Sequence, residues 1–292
     1  MDLNNQTDPN LINKTTYFFQ AIKFQESIFA LPFAYIGMIL SIEKLPDFQT
    51  FAWITIAMIS ARTFGMAMNR IIDNEIDSKN PRTSGRHIPK GLLSVKEVLV
   101  PTIISALIFF FAAFQLNLVA LVLSPIALLY LSIYPYTKRF TWTANLLLGW
   151  ALAIAPSAAW IGSTGSYNII PFLLSIAVAL WAGSFDILYH SQDIEFQNKN
   201  NLHSVAKKFG IENAFLISKI MDTLSMTCLL AVGFILDLNY IYFFGCLFST
   251  FLMIYKYVLI SPDDLSKMGI AFLRINAFVS TSMLLGTLLA II

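Results

Sequence analysis

The chain has 292 residues, of which 57% are hydrophobic and only 12% are charged, and its mean hydropathy is +0.68. A soluble globular protein carries about 25% charged residues, so the composition excludes a water-soluble domain and indicates a polytopic membrane protein. The net charge of +2 is spread over loops without forming a basic domain, which argues against nucleic-acid binding. Both cysteines, Cys228 and Cys246, lie inside apolar runs, which excludes a disulfide scaffold.

Nine apolar stretches predict transmembrane helices, since a span needs roughly 20 mainly apolar residues. They are centred on residues 24–42, 50–68, 98–116, 118–134, 143–162, 168–185, 214–235, 239–258 and 270–291. The nearly continuous run 98–134 is too long for one crossing, and Gln115 and Asn117 mark the predicted turn within it. We therefore predict an all-α integral membrane protein whose nine transmembrane helices surround a central cavity, preceded by a disordered tail over residues 1–13.

The distribution of basic residues predicts the orientation in the membrane. Most of the 19 Lys and Arg residues fall in the tail and in the loops after the second, fourth, sixth and eighth spans, whereas Lys44 stands alone on the other side. By the positive-inside rule the N-terminus is cytoplasmic and the C-terminus outside. The predicted location is the inner (cytoplasmic) membrane of the cell, and the two long loops, 69–97 and 186–213, lie on its cytoplasmic face.

The first long loop begins with a row of oxygen-bearing side chains, Asn69, Asp73 and Asp77. At positions i, i+4 and i+8 they share one face of a helix that continues from the second span. No basic residue follows at i+4 to neutralise them, so the spacing predicts a bound divalent cation. Hard oxygen ligands suit Mg²⁺, which takes one or two carboxylates and completes its shell with waters and substrate phosphates.

A second acidic row, Asp186, Tyr189 and Asp193, leaves the sixth span at i, i+3 and i+7. One acidic helix end is commonly just a solvated surface. Two such ends at equivalent positions four spans apart predict an internal repeat that faces a shared cavity. The chain after the tail, 14–292, is accordingly predicted to be one domain with pseudo-repeated halves of about 20–135 and 140–260.

Basic residues accompany both acidic rows, and Arg82, Arg86, Lys138 and Arg139 are the candidates for binding phosphate oxygens. Their other interpretation is the ordinary positive charge of cytoplasmic loops, which is the preferred one for Lys256. Acidic rows with basic neighbours describe a site for a magnesium-bridged diphosphate. Beside a cavity lined by Phe, Leu and Ile, such a site predicts an isoprenoid diphosphate whose tail dissolves in that cavity.

These motifs resemble the signatures of the UbiA superfamily of intramembrane prenyltransferases. NRIIDNEID resembles the N-x-x-x-D-x-x-x-D signature, and FDILYHSQDIEFQNKNNLHSVAKKFG resembles the second one. NPRTSGRHIPKG, ALPFAYIG and YPYTKRFTW are further matches, so the resemblance runs from about residue 20 to 276. The chain is most similar to the 4-hydroxybenzoate polyprenyltransferase group. His190 stands where many members carry the second aspartate of D-x-x-x-D, which leaves its role open between a direct and an indirect one.

The resemblance implies Mg²⁺-dependent transfer of a polyprenyl group from its diphosphate to the ring of a hydroxylated aromatic acid, in respiratory quinone biosynthesis. It assigns catalysis and magnesium binding to Asp73, Asp77, Asp186 and Asp193, with Asn69 as a further metal ligand. The preferred acceptor is 4-hydroxybenzoate, and a dihydroxynaphthoate, as in menaquinone synthesis, is the alternative. The expected partners are a polyprenyl diphosphate, a small aromatic acid and the lipid bilayer, without an obligate protein partner.

An aromatic acid needs a cation for its carboxylate, and Arg62 is the best candidate. It lies in the second span, seven residues and about 10 Å of helix rise before Asn69. A charge at bilayer depth costs about 2.5–3.5 kcal/mol, which favours a functional role. We therefore assign Arg62, together with Tyr189, to binding of the aromatic substrate. The alternative is a structural ion pair of Arg62 with Glu26.

Two features stay open to other interpretations. Lys219 and Asp222, at i and i+3, predict an ion pair within one helix. Repeats and charged residues within spans also occur in secondary transporters, but a transporter places its polar residues near the membrane centre. Here the carboxylates cluster at one face, which favours an enzyme. A binding or scaffold protein without turnover is the third class.

Overall fold

The computed structural model describes residues 11–25 and 31–292, and within these ranges the chain is helical, without a strand. The α-helices are α1 (Leu11–Ala21), α2 (Leu31–Ile42), α3 (Phe48–Ile72), α4 (Asn74–Lys79), α5 (Val95–Leu116), α6 (Leu118–Ile133), α7 (Ala144–Thr164), α8 (Ile169–His190), α9 (Ile194–Lys199), α10 (Val205–Phe209), α11 (Ile211–Ile235), α12 (Tyr240–Leu259) and α13 (Asn276–Ile291). Short 3₁₀ segments, Tyr134–Arg139 and Ser191–Asp193, extend α6 and α8, and a π-helical segment, Ile270–Ile275, precedes α13. The all-α prediction is confirmed.

Eight helical segments in the described chain are long and apolar enough to cross a bilayer, and they correspond to the second to ninth predicted spans. The first predicted span, 24–42, lies partly outside the described residues, which show its second half as the 12-residue apolar helix α2. The count of nine transmembrane helices and the side on which each terminus lies therefore stay predictions. Residues 1–10 of the predicted tail lie outside the described residues, whereas residues 11–13 form the first turn of α1.

The turn predicted between the third and fourth spans lies at Asn117. Its side-chain Oδ1 accepts a hydrogen bond from the backbone N–H of Ala120 at 2.9 Å and so caps the first turn of α6. Its Nδ2 donates to the carbonyl of Ile161 at 2.7 Å and thereby ties the turn to α7. An N-cap side chain satisfies backbone donors that a helix start leaves unpaired, which explains how one polar residue divides a nearly continuous apolar run.

Close helix contacts build the frame around the site. α7 packs against both α2 and α8, and these contacts require glycine. A Cβ at Gly149 would lie 2.2 Å from the carbonyl oxygen of Ala179, and one at Gly37 would lie 2.3 Å from that of Pro156. The largest apolar core lies between α2, α7, α8 and α11–α13 and includes Trp181, Leu229 and Met283. This frame holds the ends of α3 and α8 on the same side of the bundle.

Candidate active site

The first acidic row lies at the junction of α3 and α4. Asp73 is the residue between the two helices, and the backbone N–H of Asp77 donates to the carbonyl of Asp73 at 2.8 Å, so the helical spacing continues across the junction. Asp73 and Asp77 are 1% and 5% exposed. Together with Asn69 they line one cavity.

The second acidic row lies at the end of α8 and in the 3₁₀ turn that follows. Asp186 and Asp193 are buried, and both line the same cavity as the first row, together with Tyr189. We call this space of about 200 Å³ the acidic cavity; it is lined by Asn69, Asp73, Asp77, Asp186, Tyr189 and Asp193. The two acidic helix ends, more than 100 residues apart in the sequence, therefore meet in one cavity.

The carboxylates are neutralised by basic side chains from other segments. Lys138 Nζ contacts Asp73 Oδ2, and Arg86 Nη1 donates to Asp77 Oδ2 at 2.5 Å. Arg82 binds Asp193 through two hydrogen bonds, one of them from Nε to Oδ1 at 2.8 Å. The predicted basic neighbours are therefore present, and in the first row they come from residues further along the chain rather than from i+4.

Arg82 also donates to the hydroxyl of Tyr189 at 2.7 Å, and its guanidinium lies 4.7 Å from the centre of that ring. Burial alone would lower the pKa of Arg82, but the hydrogen bond to Asp193 and the neighbouring Tyr189 raise it above its ordinary value. The residue therefore stays charged. Tyr189 in turn packs on Phe272 with ring centres 4.4 Å apart.

Arg139 is placed differently from the other three candidate phosphate ligands. Its guanidinium lies 3.6 Å from Asp73 Oδ1 and donates to the carbonyl of Ile72 at 2.7 Å. It is not among the residues that line the acidic cavity, whereas Arg82, Arg86 and Lys138 are. Arg139 thus holds the end of α3 from outside the acidic cavity. Its position does not support the predicted contact with the diphosphate.

Asp186 is held by two neighbours, one of which the sequence reasoning missed. Asn145 Nδ2, from the start of α7, donates to Asp186 Oδ2 at 2.8 Å, and Asn145 Oδ1 accepts from the backbone N–H of Val205 at 3.1 Å. His190 Nδ1 lies 3.1 Å from Asp186 Oδ1 and also lines the cavity. Asn145 is 3% exposed, and the signal available in the sequence was a polar residue at the start of an apolar run, just after the YPYTKRFTW motif.

A second, larger cavity adjoins the first. This apolar cavity has a volume of about 480 Å³ and is lined mainly by α3, α5, α6 and α7, for example by Ile54, Phe109, Leu123 and Ile154. Four residues line both cavities, namely Arg62, Met66, Tyr134 and Leu152. Arg62 therefore lies where the two cavities meet.

The residues fit a cation that binds together with a diphosphate. Among the described residues no three His, Cys, Asp or Glu side chains are grouped closely enough to form a metal cage. Mg²⁺ commonly takes only one or two carboxylates and shares its remaining positions with waters and substrate phosphates. Asp73 Oδ1 is buried and accepts no hydrogen bond, although the Arg139 guanidinium lies 3.6 Å away, and it belongs to a residue that lines the cavity. Its lone pairs are therefore not taken up by a hydrogen bond.

Two similar curated proteins have the same name. A 4-hydroxybenzoate octaprenyltransferase from Vibrio atlanticus is 27% identical over 250 residues, covering 86% of this chain and 87% of the relative. A protein of the same name from Vibrio cholerae is 28% identical over 255 residues, covering 87% and 89%. The similarity therefore extends over nearly the full length of both relatives.

Solved structures of similar fold and the matching family pattern both carry the name UbiA. An apo UbiA homologue from Aeropyrum pernix has a TM-score of 0.84 at 27% identity, covering 92% of this chain and 99% of that one. A UbiA homologue from Archaeoglobus fulgidus bound to GPP and Mg²⁺ shares the fold, with a TM-score of 0.66 at 18% identity and coverage of 91% and 99%. The pattern of the UbiA prenyltransferase family matches residues 30–281. The chain therefore belongs to the UbiA prenyltransferase family, and the prediction of an integral membrane prenyltransferase is confirmed.

Proposed function

We propose that this prenyltransferase transfers a polyprenyl group from its diphosphate to the ring of 4-hydroxybenzoate or a similar hydroxylated aromatic acid, with Mg²⁺, in respiratory quinone biosynthesis. The observation that carries the proposal is the junction of the two cavities. Both acidic rows and several bases, among them Arg82, Arg86 and Lys138, line a polar cavity, which opens at Arg62 into an apolar cavity of about 480 Å³. A diphosphate headgroup fits the first and an isoprenoid chain the second.

The bases of the acidic cavity bind the diphosphate. Arg82, Arg86 and Lys138 each contact one carboxylate, and each has N–H donors beyond that contact. Arginine offers five N–H donors in a planar fork and lysine three, so these residues can bind phosphate oxygens while they still contact their carboxylates. The three residues thus stabilise the charge that gathers on the diphosphate as the allylic C–O bond breaks.

Mg²⁺ would be held by Asp73 and Asp77 on one side and by Asp186 and Asp193 on the other, with Asn69 beside the first pair. When bound, the cation supplies Lewis-acid stabilisation of the leaving diphosphate. Asn145 and His190 hold Asp186 from two sides, so its carboxylate keeps its orientation toward the cavity.

The acceptor lies at the junction, where Arg62 pairs with its carboxylate and Tyr189 lines the adjacent wall. The allylic carbon bonds to the ring carbon ortho to the acceptor hydroxyl, and that carbon loses its proton to a base. The electron pair of the broken C–O bond leaves with the diphosphate. Because water would capture the allylic cation, the apolar lining around Met66 and Leu152 protects the reaction.

The relatives named 4-hydroxybenzoate octaprenyltransferase support this acceptor class and a prenyl donor. A dihydroxynaphthoate stays the alternative, since Arg62 fits either carboxylate. The basic residues around the acidic cavity support its position at the cytoplasmic face of the inner membrane, by the positive-inside rule.

Product analysis tests the proposal directly. The purified protein is incubated in detergent with geranyl diphosphate, MgCl₂ and either 4-hydroxybenzoate or a dihydroxynaphthoate, and products are identified by mass spectrometry. We expect a C-prenylated acid and release of diphosphate from one of the two acids, and loss of product when EDTA removes the metal. Failure of both acids to react would overturn the proposed acceptor class.

A further inference from the structure

The helix before the first predicted span, α1, is attached to the loop that carries the first acidic row. Lys14 Nζ lies 2.6 Å from Glu97 Oε1, at the start of α5. Gln20 Oε1 lies 3.1 Å from His87 Nε2 in the loop between α4 and α5. These two polar contacts come from α1 residues six positions apart, so they attach the helix at two points along its length.

Apolar contacts also hold the same helix in place. Phe18, Ala21 and Ile22 are buried, and Ile22 is only 2% exposed. The surface they bury against belongs to α3, α5 and the loop between α4 and α5; it consists of Ala67, Ile88, Leu93 and Val98. The end of α1 is therefore packed against α3, α5 and the loop between α4 and α5.

Arg70 connects the end of α1 to that row. Its Nε donates to the carbonyl of Ala21 at 2.9 Å, and its Nη1 lies 3.9 Å from Asp77 Oδ2. Arg70 is itself buried. One side chain thus sets the distance between the last turn of α1 and a carboxylate of the acidic cavity.

Two residues after α1, Lys23 lines the acidic cavity. Its backbone has a φ of 50°, in the left-handed region that residues with a side chain rarely adopt. Its N–H donates to the carbonyl of Gln20 at 3.0 Å and closes the turn. Such a conformation persists where the surroundings over-determine it, often at ligand sites, and the contacts of α1 and Arg70 provide that constraint.

We propose that Lys23 is a diphosphate-binding residue and that α1 positions it, so that the N-terminal segment is a third wall of the active site. This inference rests on the function proposed above. The three bases assigned to the diphosphate, Arg82, Arg86 and Lys138, each contact a carboxylate of the cavity. A diphosphate carries several negative charges, and Lys23 adds a cation from a different part of the chain.

The test compares Lys23→Asn with Lys23→Arg in the full-length protein. Asparagine tolerates the left-handed region and removes the charge together with most of the side chain's length, whereas arginine keeps both the charge and the reach. Lys44→Asn is the matched control, because Lys44 is exposed and lines neither cavity. Two quantities are measured: the KM for geranyl diphosphate and, without acceptor, the rise in melting temperature that geranyl diphosphate with Mg²⁺ produces.

We expect Lys23→Asn to raise the KM for geranyl diphosphate about tenfold and to reduce the thermal shift, while the KM for the aromatic acid stays near the wild-type value. Lys23→Arg should restore both quantities. A wild-type KM and thermal shift in Lys23→Asn would overturn the inference, and so would an equal loss of affinity for both substrates. If the wild-type protein itself neither forms product nor responds to geranyl diphosphate, the proposed function has failed instead.

Discussion

Buried charge occurs in two regions of this protein that differ in their surroundings. In the first, four carboxylates line the acidic cavity. In the second, Asp222 of α11 accepts hydrogen bonds from Lys256 Nζ and from the Tyr257 hydroxyl, both at 2.7 Å, in the contact between α11 and α12. Asp222, Lys256 and Tyr257 line neither of the two cavities.

Burial alone does not distinguish the two regions. Asp73 is 1% exposed and Asp222 is 4% exposed, and each has one carboxylate oxygen without a hydrogen-bond partner. The two regions differ in what surrounds each carboxylate. Asp73 shares a cavity with carboxylates from another helix end, whereas Asp222 is hydrogen-bonded to Lys256 and the Tyr257 hydroxyl. A buried ion pair alone does not indicate catalysis, and the shared cavity is the feature that indicates function.

The largest expected effect is a loss of enzymatic activity when a carboxylate of the acidic cavity is replaced. Asp73→Asn or Asp186→Asn should lower kcat at least about 10³-fold, because under the proposed function each would remove a charge that holds the metal against the leaving diphosphate. Turnover is measured with geranyl diphosphate and 4-hydroxybenzoate. Glu75→Gln is the matched control, since Glu75 lies between Asp73 and Asp77 but is exposed and pairs only with Lys79; it should keep wild-type activity. Activity retained in Asp73→Asn would remove the metal assignment.

The Asp222 region should respond in stability instead. Asp222→Asn leaves Lys256 buried without its counter-charge, and we expect a loss of about 3 kcal/mol in the free energy of unfolding. The melting temperature in detergent reports it, with activity per folded molecule near wild type. The double variant Asp222→Leu with Lys256→Met removes both charges and should recover most of the loss. A selective fall in activity without a fall in melting temperature would place Asp222 in catalysis.

Much of the fold followed from the sequence because apolar runs in a bilayer allow few structures. Eight predicted spans correspond to helices, and Asn117 divides the third from the fourth. The two acidic rows were recognisable because their spacing places them on one face of a helix. Patterns within one helix could therefore be inferred from the chain alone.

Partners from different helices could not be inferred in this way. Lys219 and Asp222 were expected to pair within α11, but Asp222 binds Lys256 of α12, and Lys219 lies 5.4 Å from the Tyr257 ring. Lys256 itself, taken as an ordinary loop charge, is 1% exposed. The same limitation hid Asn145 and the bases that oppose each carboxylate, since those contacts depend on how helices pack.

A smaller effect is expected at the junction of the two cavities. Arg62→Ala should lower kcat/KM for the aromatic acid about 100-fold, the amount that loss of a charge-assisted pair supports, with little change in the KM for geranyl diphosphate. Steady-state kinetics with each substrate varied in turn measures the difference. Arg62→Lys keeps the charge and should retain part of the activity. Equal losses for both substrates would indicate a structural Arg62.

The smallest effect tests whether the acidic cavity depends on the residue that holds the Asp186 carboxylate in place. Asn145→Ala removes the hydrogen bond to Asp186 and the link to Val205, and should raise the Mg²⁺ concentration for half-maximal activity about tenfold, as loss of an outer-shell partner does. Asn168→Ala is the matched control, because Asn168 caps the other end of α8 through the N–H of Ile170. It should cost some stability without changing the magnesium dependence. Since both variants weaken contacts at an end of the same helix, a shift in magnesium dependence confined to Asn145→Ala would assign the effect to the orientation of Asp186, and an equal shift in both would assign it to the stability of α8.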